Sequence, residues 1–468
     1  MSDPTFALGS VPDPHWWQRA PDATSAPDTA GADTERASTG LVEADVAGAA
    51  LPFWALMGFT FVLLIAPQNI FPALRPLRLG MLAAATALGA MLLDRLGRGL
   101  PITRVTREIK IAAFLLAWAV ATIPFSYWPG GSFGLLTDLY LKTLAIFLLI
   151  VNVVSTTDRL RKAAWALTLM TIPVAVTGIQ NFLSGVFVRG GVDEAVKRII
   201  GYEAPLTQNP NDLALVLNLI LPLTVALLLI TQTPLARVCL FGVIGLQVVA
   251  IVVTFSRAGF LTLATTFVVS MLTASGGLNR RWTWGLLILA IVCLPLLPGE
   301  YVQHMFTITD IDSDPTGSAQ GRWEQQVAAV GYLATHPILG AGIGQNILAM
   351  NEVLGPDWKM VHNAYLEYAI DLGLPGLILF LLLFVGSVRS AGRAARLAAM
   401  QPGGHDLSVL ANGIRVSLLA FALAAFFSPV AYHFHFYYFA GLALASLGIA
   451  ETAASPAASE PPASGEQT

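Results

Sequence analysis

The sequence predicts an all-α integral membrane protein that crosses the bilayer about twelve times. Hydrophobic residues make up 55% of the 468 residues, and only 12% are charged. A water-soluble domain has about 25% charged residues, so this chain cannot form an ordinary water-facing surface. The apolar residues occur in runs of about 20, the length that a helix needs to cross the hydrocarbon core of a bilayer. Helices satisfy their own backbone hydrogen bonds there, which lipid cannot do.

Apolar runs mark the individual spans. Among the twelve, the second span and the last two have the least sharply defined boundaries. The predicted spans are 51–72, 77–94, 109–125, 135–154, 163–183, 211–230, 236–254, 258–274, 283–298, 363–387, 409–428 and 431–450.

The ninth and tenth spans are separated by a long hydrophilic connection, residues 299–361, in which we expect short helices. One of these is predicted from Ser318 to Thr335, where apolar residues recur at helical spacing until Pro337 ends the pattern. We expect this helix to lie on the bundle or at the membrane interface. Its apolar face carries Trp323, Val327, Val330 and Ala334.

Orientation follows from the arginines and lysines of the connections between spans. Fourteen fall in connections on the side of the N-terminus, against eight on the other side. The positive-inside rule then makes both termini cytoplasmic and residues 299–361 extracytoplasmic. Residues 1–50 and 451–468 are rich in Pro, Ala, Ser and Thr, so we expect disordered cytoplasmic segments around a membrane domain over 51–450. The net charge of −3 gives no reason to expect a nucleic-acid partner.

Three basic residues stand out as functional candidates, each beside a simpler interpretation. Arg257 lies in TFSRAGF, where two spans meet with almost no connection. An arginine at membrane depth costs about 2.5–3.5 kcal/mol on insertion scales, unless its side chain reaches the interface. Arg322 starts the predicted loop helix and is equally explained as a solvated charge. His362 precedes Asn363 at the start of a span, where an incidental histidine beside a capping residue is the alternative.

Two further motifs have structural interpretations. The run Gly340-Ala-Gly342-Ile-Gly344 is not surrounded by a βαβ unit, so we interpret it as backbone passing close to a helix or a phosphate. His433 and His435 lie among aromatic residues at a predicted span end. An aromatic belt is favoured over a metal site, because no third ligand is evident.

An ordered set of motifs resembles the family of O-antigen ligases and polysaccharide polymerases of the bacterial envelope. The resemblance covers about residues 200–450 and includes the number of spans and the large outside loop. The matching stretches are TQNPNDLA at 207–214, TFSRAG at 254–259, GRWEQ at 321–325, HPILGAGIGQN at 336–346 and HNAYLEYAIDLGLPG at 362–376.

This resemblance implies a membrane glycosyltransferase that needs no metal or other cofactor and works at the outer face of the bacterial inner (plasma) membrane. It implies a glycan donor linked to undecaprenyl diphosphate. The acceptor is lipid A–core in ligases, which act in lipopolysaccharide biosynthesis, and another lipid-linked glycan in O-antigen or exopolysaccharide polymerases. In oligosaccharyltransferase relatives it is a protein. The motifs leave these alternatives open, along with the glycan and the oligomeric state.

Carried over residue by residue, the resemblance implies that Arg257 and Arg322 bind the diphosphate and that His362 is catalytic. Guanidinium groups suit this task because they are permanently charged and contact phosphate through two hydrogen bonds. A histidine with a pKa near 6.5 suits removal of a proton from the attacking hydroxyl. Direct attack on the donor sugar would invert the anomeric centre.

Supporting roles fall to neighbouring residues. Asn363 and Glu367 lie one helical turn apart and are candidates to orient His362 or bind acceptor hydroxyls. Asn211 starts a span on the outer side, where helix capping is an adequate alternative. Glu324 is a second-choice base.

The main alternative function is a polysaccharide or lipid-linked glycan transporter without transferase activity. Such a protein needs charged groups along a path through the bilayer. Lys142 and Asp138 are the candidates that the sequence offers for such a path.

Overall fold

A computed structural model describes the chain over residues 48–187, 198–273, 318–356 and 358–455. Within these ranges, nine helices are long and apolar enough to cross a membrane, and two shorter apolar helices, Ala50–Ile65 and Arg257–Thr273, accompany them. The prediction of an all-α polytopic membrane protein is therefore confirmed. The ninth predicted span, 283–298, lies outside the described residues, so the count of twelve stays a prediction.

The helices are numbered here in chain order. In α4, a wide turn at Leu136–Tyr140 interrupts the regular α-helix. The bounds are α1 Ala50–Ile65, α2 Leu79–Gly97, α3 Arg107–Thr122, α4 Pro129–Val153, α5 Thr157–Leu183, α6 Pro210–Ile230, α7 Pro234–Val253, α8 Arg257–Thr273, α9 Ser318–Thr335, α10 Asn346–Leu354, α11 Ala364–Ala399, α12 His405–Ala424 and α13 Phe434–Ala453.

The first predicted span is shorter than its apolar run. Helix α1 ends at Ile65 because Ala66 takes a left-handed conformation (φ 46°) and Pro67 follows it. The chain continues through two short turns, Pro67–Ile70 and Pro72–Leu77, before α2 begins. Proline without an amide hydrogen cannot continue the helical ladder, which is why hydropathy alone extends this span too far.

Helix α6 is at the centre of the bundle, and its contacts show how the neighbouring helices α8 and α12 run relative to it. Ser417 Oγ on α12 donates to the Leu219 carbonyl at 2.7 Å, and α12 runs antiparallel to α6. Asn218 Nδ2 on α6 donates to the Gly259 carbonyl of α8 at 3.0 Å. The starts of α6 and α8 therefore lie at the same end of the bundle as the end of α12.

The start of α11 joins them there, since Ala364 N donates to the Ala425 carbonyl at 2.7 Å. We call this end of the bundle the motif end. It is defined by the starts of α6, α8 and α11 and the end of α12.

Helix α11 is broken at Gly373, where φ is 66° and ψ is −173°. The predicted span 363–387 corresponds to the first part of Ala364–Ala399, one of the helices able to cross a membrane, and the break lies inside it. Pro375 lacks the amide hydrogen that would bond the Asp371 carbonyl, four residues earlier. That carbonyl accepts from Gly342 N at 2.9 Å instead.

The glycine-rich loop, residues 337–346, supplies the missing partners on both sides of the break. Ala341 N donates to the Ile370 carbonyl at 2.7 Å, and Leu374 N donates to the Pro337 carbonyl at 2.8 Å. A Cβ on Gly340 would lie 2.3 Å from the Ile370 carbonyl oxygen, so only glycine fits there. The prediction that this loop passes close to a helix is confirmed.

Helix α9 has the predicted bounds, Ser318–Thr335, and turns its apolar face away from the protein. Trp323 is 61% exposed, and Val327 and Val330 are exposed as well. The face toward α10 and α11 is formed instead by small and amphipathic residues, including Ala329 and Tyr332. An outward apolar face is typical of a helix at a membrane interface.

Candidate active site at the motif end

His362 lies just before α11, and its backbone position is fixed from both sides. Val361, which precedes it, is buried, and Asn363, which follows it, caps α11 by accepting from Tyr365 N at 3.0 Å and Leu366 N at 3.2 Å. His362 Nδ1 lies 3.0 Å from the Met360 carbonyl oxygen. A carbonyl oxygen only accepts hydrogen bonds, so this contact assigns the proton to Nδ1 and leaves the lone pair on Nε2.

Arg322, on α9, lies close enough to His362 to influence its charge. Burial lowers the pKa of His362, and the positive charge of Arg322 lowers it further, whereas the hydrogen bond to Met360 acts in the opposite direction. Both depressing effects disfavour the imidazolium form. The structure therefore brings Arg322 and His362 together and favours a neutral ring near pH 7.

Arg257 is the first residue of α8, directly after a strained connection from α7. Phe255 takes a left-handed conformation (φ 53°), a conformation that costs about 1–3 kcal/mol for a residue other than glycine. Its ring is buried and stacks on Phe182, with the ring centroids 5.9 Å apart. Ser256 Oγ caps α8 by accepting from Gly259 N at 3.0 Å. The packed ring of Phe255 and the cap made by Ser256 together fix the backbone position of Arg257 at the start of α8.

Asn211, in the first turn of α6, joins the segment between α7 and α8 to the guanidinium group of Arg198. Its Oδ1 accepts from Ser256 Oγ at 2.8 Å and from Arg198 Nη2 at 2.7 Å. Capping of α6 falls to Asn209, whose Oδ1 accepts from Asn211 N at 2.8 Å. The capping explanation therefore applies to Asn209, and Asn211 instead ties α6, α8 and Arg198 together.

The predicted site residues thus form two groups at the motif end. Arg322 and His362 form one group, and the other contains Asn211, Arg257 and Arg198. They are connected through α12, which packs against α8 and accepts the hydrogen bond from the start of α11. Arg198 is one of the eight basic residues assigned above to connections on the outer side, and it was not a site candidate. Its position shortly before the TQNPNDLA motif was the available signal.

Two carboxyl groups lie on one face of the first part of α11. Glu367 is buried, and its Oε2 accepts from Ala431 N at 3.1 Å. Asp371 is fully buried and accepts from Gly344 N at 2.8 Å and from Asn346 Nδ2 at 3.4 Å. Glu367 therefore anchors the connection between α12 and α13, and Asp371 anchors the glycine-rich loop.

Asp371 was not among the sequence candidates. Its spacing of four residues from Glu367 was the signal that could have identified it, because residues four apart share a helical face.

Buried tyrosines support the first part of α11 from the bundle side. Tyr437 Oη on α13 lies 2.9 Å from Tyr368 Oη on α11 and 3.0 Å from Tyr140 Oη on α4. Tyr368 Oη also donates to the Ala431 carbonyl. This network ties α4, α11 and α13 together and fixes the first part of α11, the helix that begins just after His362.

The charged pair proposed for a transport path lies on the outside of the bundle. Lys142 Nζ and Asp138 Oδ1 are 3.8 Å apart on α4, and both side chains are exposed. They do not line an internal path. His433 and His435 have ring centroids 6.1 Å apart, and no group of three metal-binding side chains occurs in the part of the chain that the structure describes.

The fold and this arrangement define a polytopic helical membrane protein that collects guanidinium groups and a neutral histidine at one end of its bundle. A family model described as O-antigen ligase matches residues 241–381, the stretch that contains Arg257, Arg322 and His362. The match covers less than half of the chain, and over that stretch it supports a membrane function of the O-antigen ligase or polymerase type in general. Together with the apolar helices, it indicates a protein of the bacterial inner membrane. The chain matches none of the curated proteins with which it was compared.

Proposed function

We propose that this protein transfers a glycan from undecaprenyl diphosphate to an acceptor hydroxyl at the outer face of the inner membrane. The observation that carries the proposal is the position of a neutral His362 beside Arg322 at the motif end. A base and a permanent cation are the two groups that this displacement requires when a diphosphate leaves.

In the proposed reaction, His362 is the general base. The acceptor oxygen attacks the anomeric carbon of the donor sugar, and its proton passes to Nε2 of His362. The bond between the anomeric carbon and the diphosphate oxygen breaks, and the diphosphate leaves with the electron pair. The attack takes place on the face opposite the leaving group, so the product has the inverted configuration.

Arg257 and Arg322 bind the departing diphosphate in this proposal. Its negative charge grows as the bond breaks, and two fixed guanidinium groups stabilise that charge without reorganisation. Arg198 would add a third guanidinium group near Arg257, because Asn211 accepts hydrogen bonds both from Arg198 and from Ser256, the residue before Arg257. The outward apolar face of α9 next to Arg322 suits a donor whose lipid chain stays in the membrane.

Asn363 and Glu367 are positioning residues in this proposal. The cap made by Asn363 and the Glu367 bond to Ala431 N hold the start of α11. They keep His362 at a fixed distance from the bound diphosphate. Catalysis of this kind depends on such fixed geometry, since a displacement of about 1 Å can cost about 10²-fold in rate.

Reconstitution of the purified full-length protein tests the proposal. Vesicles would contain an undecaprenyl-diphosphate-linked glycan and a candidate acceptor, and both joined product and released diphosphate would be measured. The wild-type protein should transfer the glycan, and His362→Ala should lose about 10²–10⁴-fold in rate, the usual contribution of a general base. His405→Ala, at the opposite end of the bundle, is the matched control and should keep full activity.

Normal transfer by folded His362→Ala would contradict the role of His362. Movement of the glycan across the bilayer without a joined product would instead identify a transporter. Glycan profiles of a deletion strain then distinguish the acceptors. Repeat units left on lipid carrier indicate a polymerase, and assembled polymer that never reaches lipid A–core indicates a ligase.

A further inference from the structure

The end of the bundle opposite the motif end contains a cavity of about 880 Å³ that is lined by both charged and apolar residues. It lies between the start of α3, the second half of α11 and the end of α13. Its charged lining consists of Arg104, Arg107, Arg389, Arg393, Glu108 and Glu451. Positive charge therefore exceeds negative charge in this cavity, which is far from His362.

Within the described part of the chain, the carboxylates of the cavity leave two of its arginines without an ion pair. Glu451 forms an ion pair with Arg393, and the distance between Arg393 Nη2 and Glu451 Oε1 is 3.2 Å. Among the described residues, no carboxylate forms an ion pair with Arg107 or Arg389, and both side chains are exposed.

The guanidinium group of Arg104 packs closely against α13 in the wall of the cavity. A Cβ at Gly448 would lie 2.3 Å from Arg104 Nη1, so glycine makes room for this guanidinium. Burial lowers the pKa of Arg104, and the charge of Glu451 only partly offsets the effect. A guanidinium group that is desolvated in this way gains from an additional anion.

The lining of the cavity becomes apolar along α11 and α13, away from the arginines. Leu382 and Val385 on α11 and Leu444 and Leu447 on α13 form this part. Leu382 is 42% exposed and Val385 is 39% exposed, on helices whose surface contacts lipid in a membrane. A ligand that fills the cavity would therefore carry an anionic group at one end and hydrocarbon at the other.

We propose that this cavity binds the phosphate group of an anionic phospholipid, with Arg107 and Arg389 as its principal ligands. The acyl chain lies along Leu382 and Val385. Basic pockets between transmembrane helices recognise anionic headgroups in this manner, and guanidinium groups bind phosphate through two hydrogen bonds. With the orientation predicted from the arginine and lysine distribution, the lipid comes from the cytoplasmic leaflet.

The test measures lipid retained by the full-length protein in native mass spectrometry after exchange into mixed micelles of phosphatidylglycerol and phosphatidylcholine. The wild-type protein should retain phosphatidylglycerol preferentially. Arg107→Gln combined with Arg389→Gln should weaken this binding roughly 30-fold, the effect expected for loss of two basic contacts. Lys110→Gln is the matched control, because Lys110 is exposed on the same helix, α3, and does not line the cavity.

Equal retention by the double variant and by Lys110→Gln would overturn the proposal. Soluble glycerol phosphate provides a second arm. If it displaces phosphatidylglycerol at equal concentration, the site recognises a water-soluble phosphate and the assignment to a lipid is wrong. Arg107→Lys with Arg389→Lys keeps the charges and should retain part of the binding, so a loss caused only by misfolding of the glutamine variant would be recognised.

Discussion

The two ends of the bundle both collect arginines, but the site at the motif end contains a histidine and the arginine-lined cavity at the opposite end does not. Arg322 lies near His362, whose Nε2 carries the lone pair. At the opposite end, the arginine-lined cavity is completed by an apolar wall and contains no histidine among its lining residues. Cations alone are sufficient to bind a phosphate, whereas transfer also needs a group that accepts a proton.

The two ends also differ in how firmly their arginines are held. Arg257 follows the strained backbone of Phe255 and the cap made by Ser256. Arg107 also follows a helix cap, made by Thr106, and Arg389 lies within α11, but the side chains of both are exposed, whereas Arg257 is half-buried. Electrostatic stabilisation of a transition state needs groups that are fixed before the reaction, and lipid binding tolerates mobile ones. The comparison therefore predicts different sensitivities to mutation at the two ends.

The largest expected effect separates Arg322 from Arg389. Arg322→Gln should lower the rate of glycan transfer by about 10²–10³, the usual loss when one preorganised donor is removed from a developing charge. Arg389→Gln should leave the transfer rate within about twofold of the wild type, since a surface substitution far from the site usually has little effect. Both rates are measured in vesicles at saturating donor.

Arg322→Lys sharpens this comparison. Lysine keeps the charge but not the planar pair of donors, so transfer should recover only in part. Full activity of Arg322→Gln, or an equal loss in Arg389→Gln, would remove the distinction between the two ends.

A smaller effect is expected for the backbone that supports the site. A Cβ on Gly373 would lie 2.1 Å from the Ile338 carbonyl oxygen, and the conformation there is one that essentially only glycine adopts. Gly373→Ala should lower the free energy of unfolding by about 3 kcal/mol or more through strain and overpacking. Gly403 also has a positive φ, of 74°, but nothing lies within 4 Å of a Cβ there. Gly403→Ala should therefore cost only about 1 kcal/mol.

The midpoint of thermal unfolding in detergent compares the two glycine variants, and glycan transfer reports on the site. Gly373→Ala should also reduce transfer, because the glycine-rich loop and the residues that carry His362 meet at this break. Equal midpoints for the two variants would show that the loop tolerates displacement from α11.

The sequence predicted the bundle and part of the site, but not the contacts that give the site its shape. Hydropathy and helical spacing define α6 and α9 well, because both depend on local patterns. Gly373 and Pro375 are a local signal for the break in α11. The carbonyl groups freed there bond a loop some 30 residues earlier in the chain, and no local pattern reports those contacts. Arg198 and Asp371 were missed for the same reason, since their partners come from other elements.

The smallest expected effect is the most direct probe of the electrostatic effect of Arg322 on His362. The positive charge of Arg322 lowers the pKa of His362, so Arg322→Gln should raise it. Burial, the larger cause, is unchanged by this substitution, and the shift should therefore be partial. A higher pKa means that the ring is protonated over a wider range at low pH, where it cannot accept a proton. The acid limb of the transfer rate should consequently move to higher pH.

NMR titration of the ring carbon of His362 in labelled protein measures the shift in pKa without substrate. Arg389→Gln is the control, and it should leave the pKa of His362 unchanged. An unchanged pKa in Arg322→Gln would mean that the two groups do not face each other, and the site would lose the electrostatic effect on which the proposed function rests.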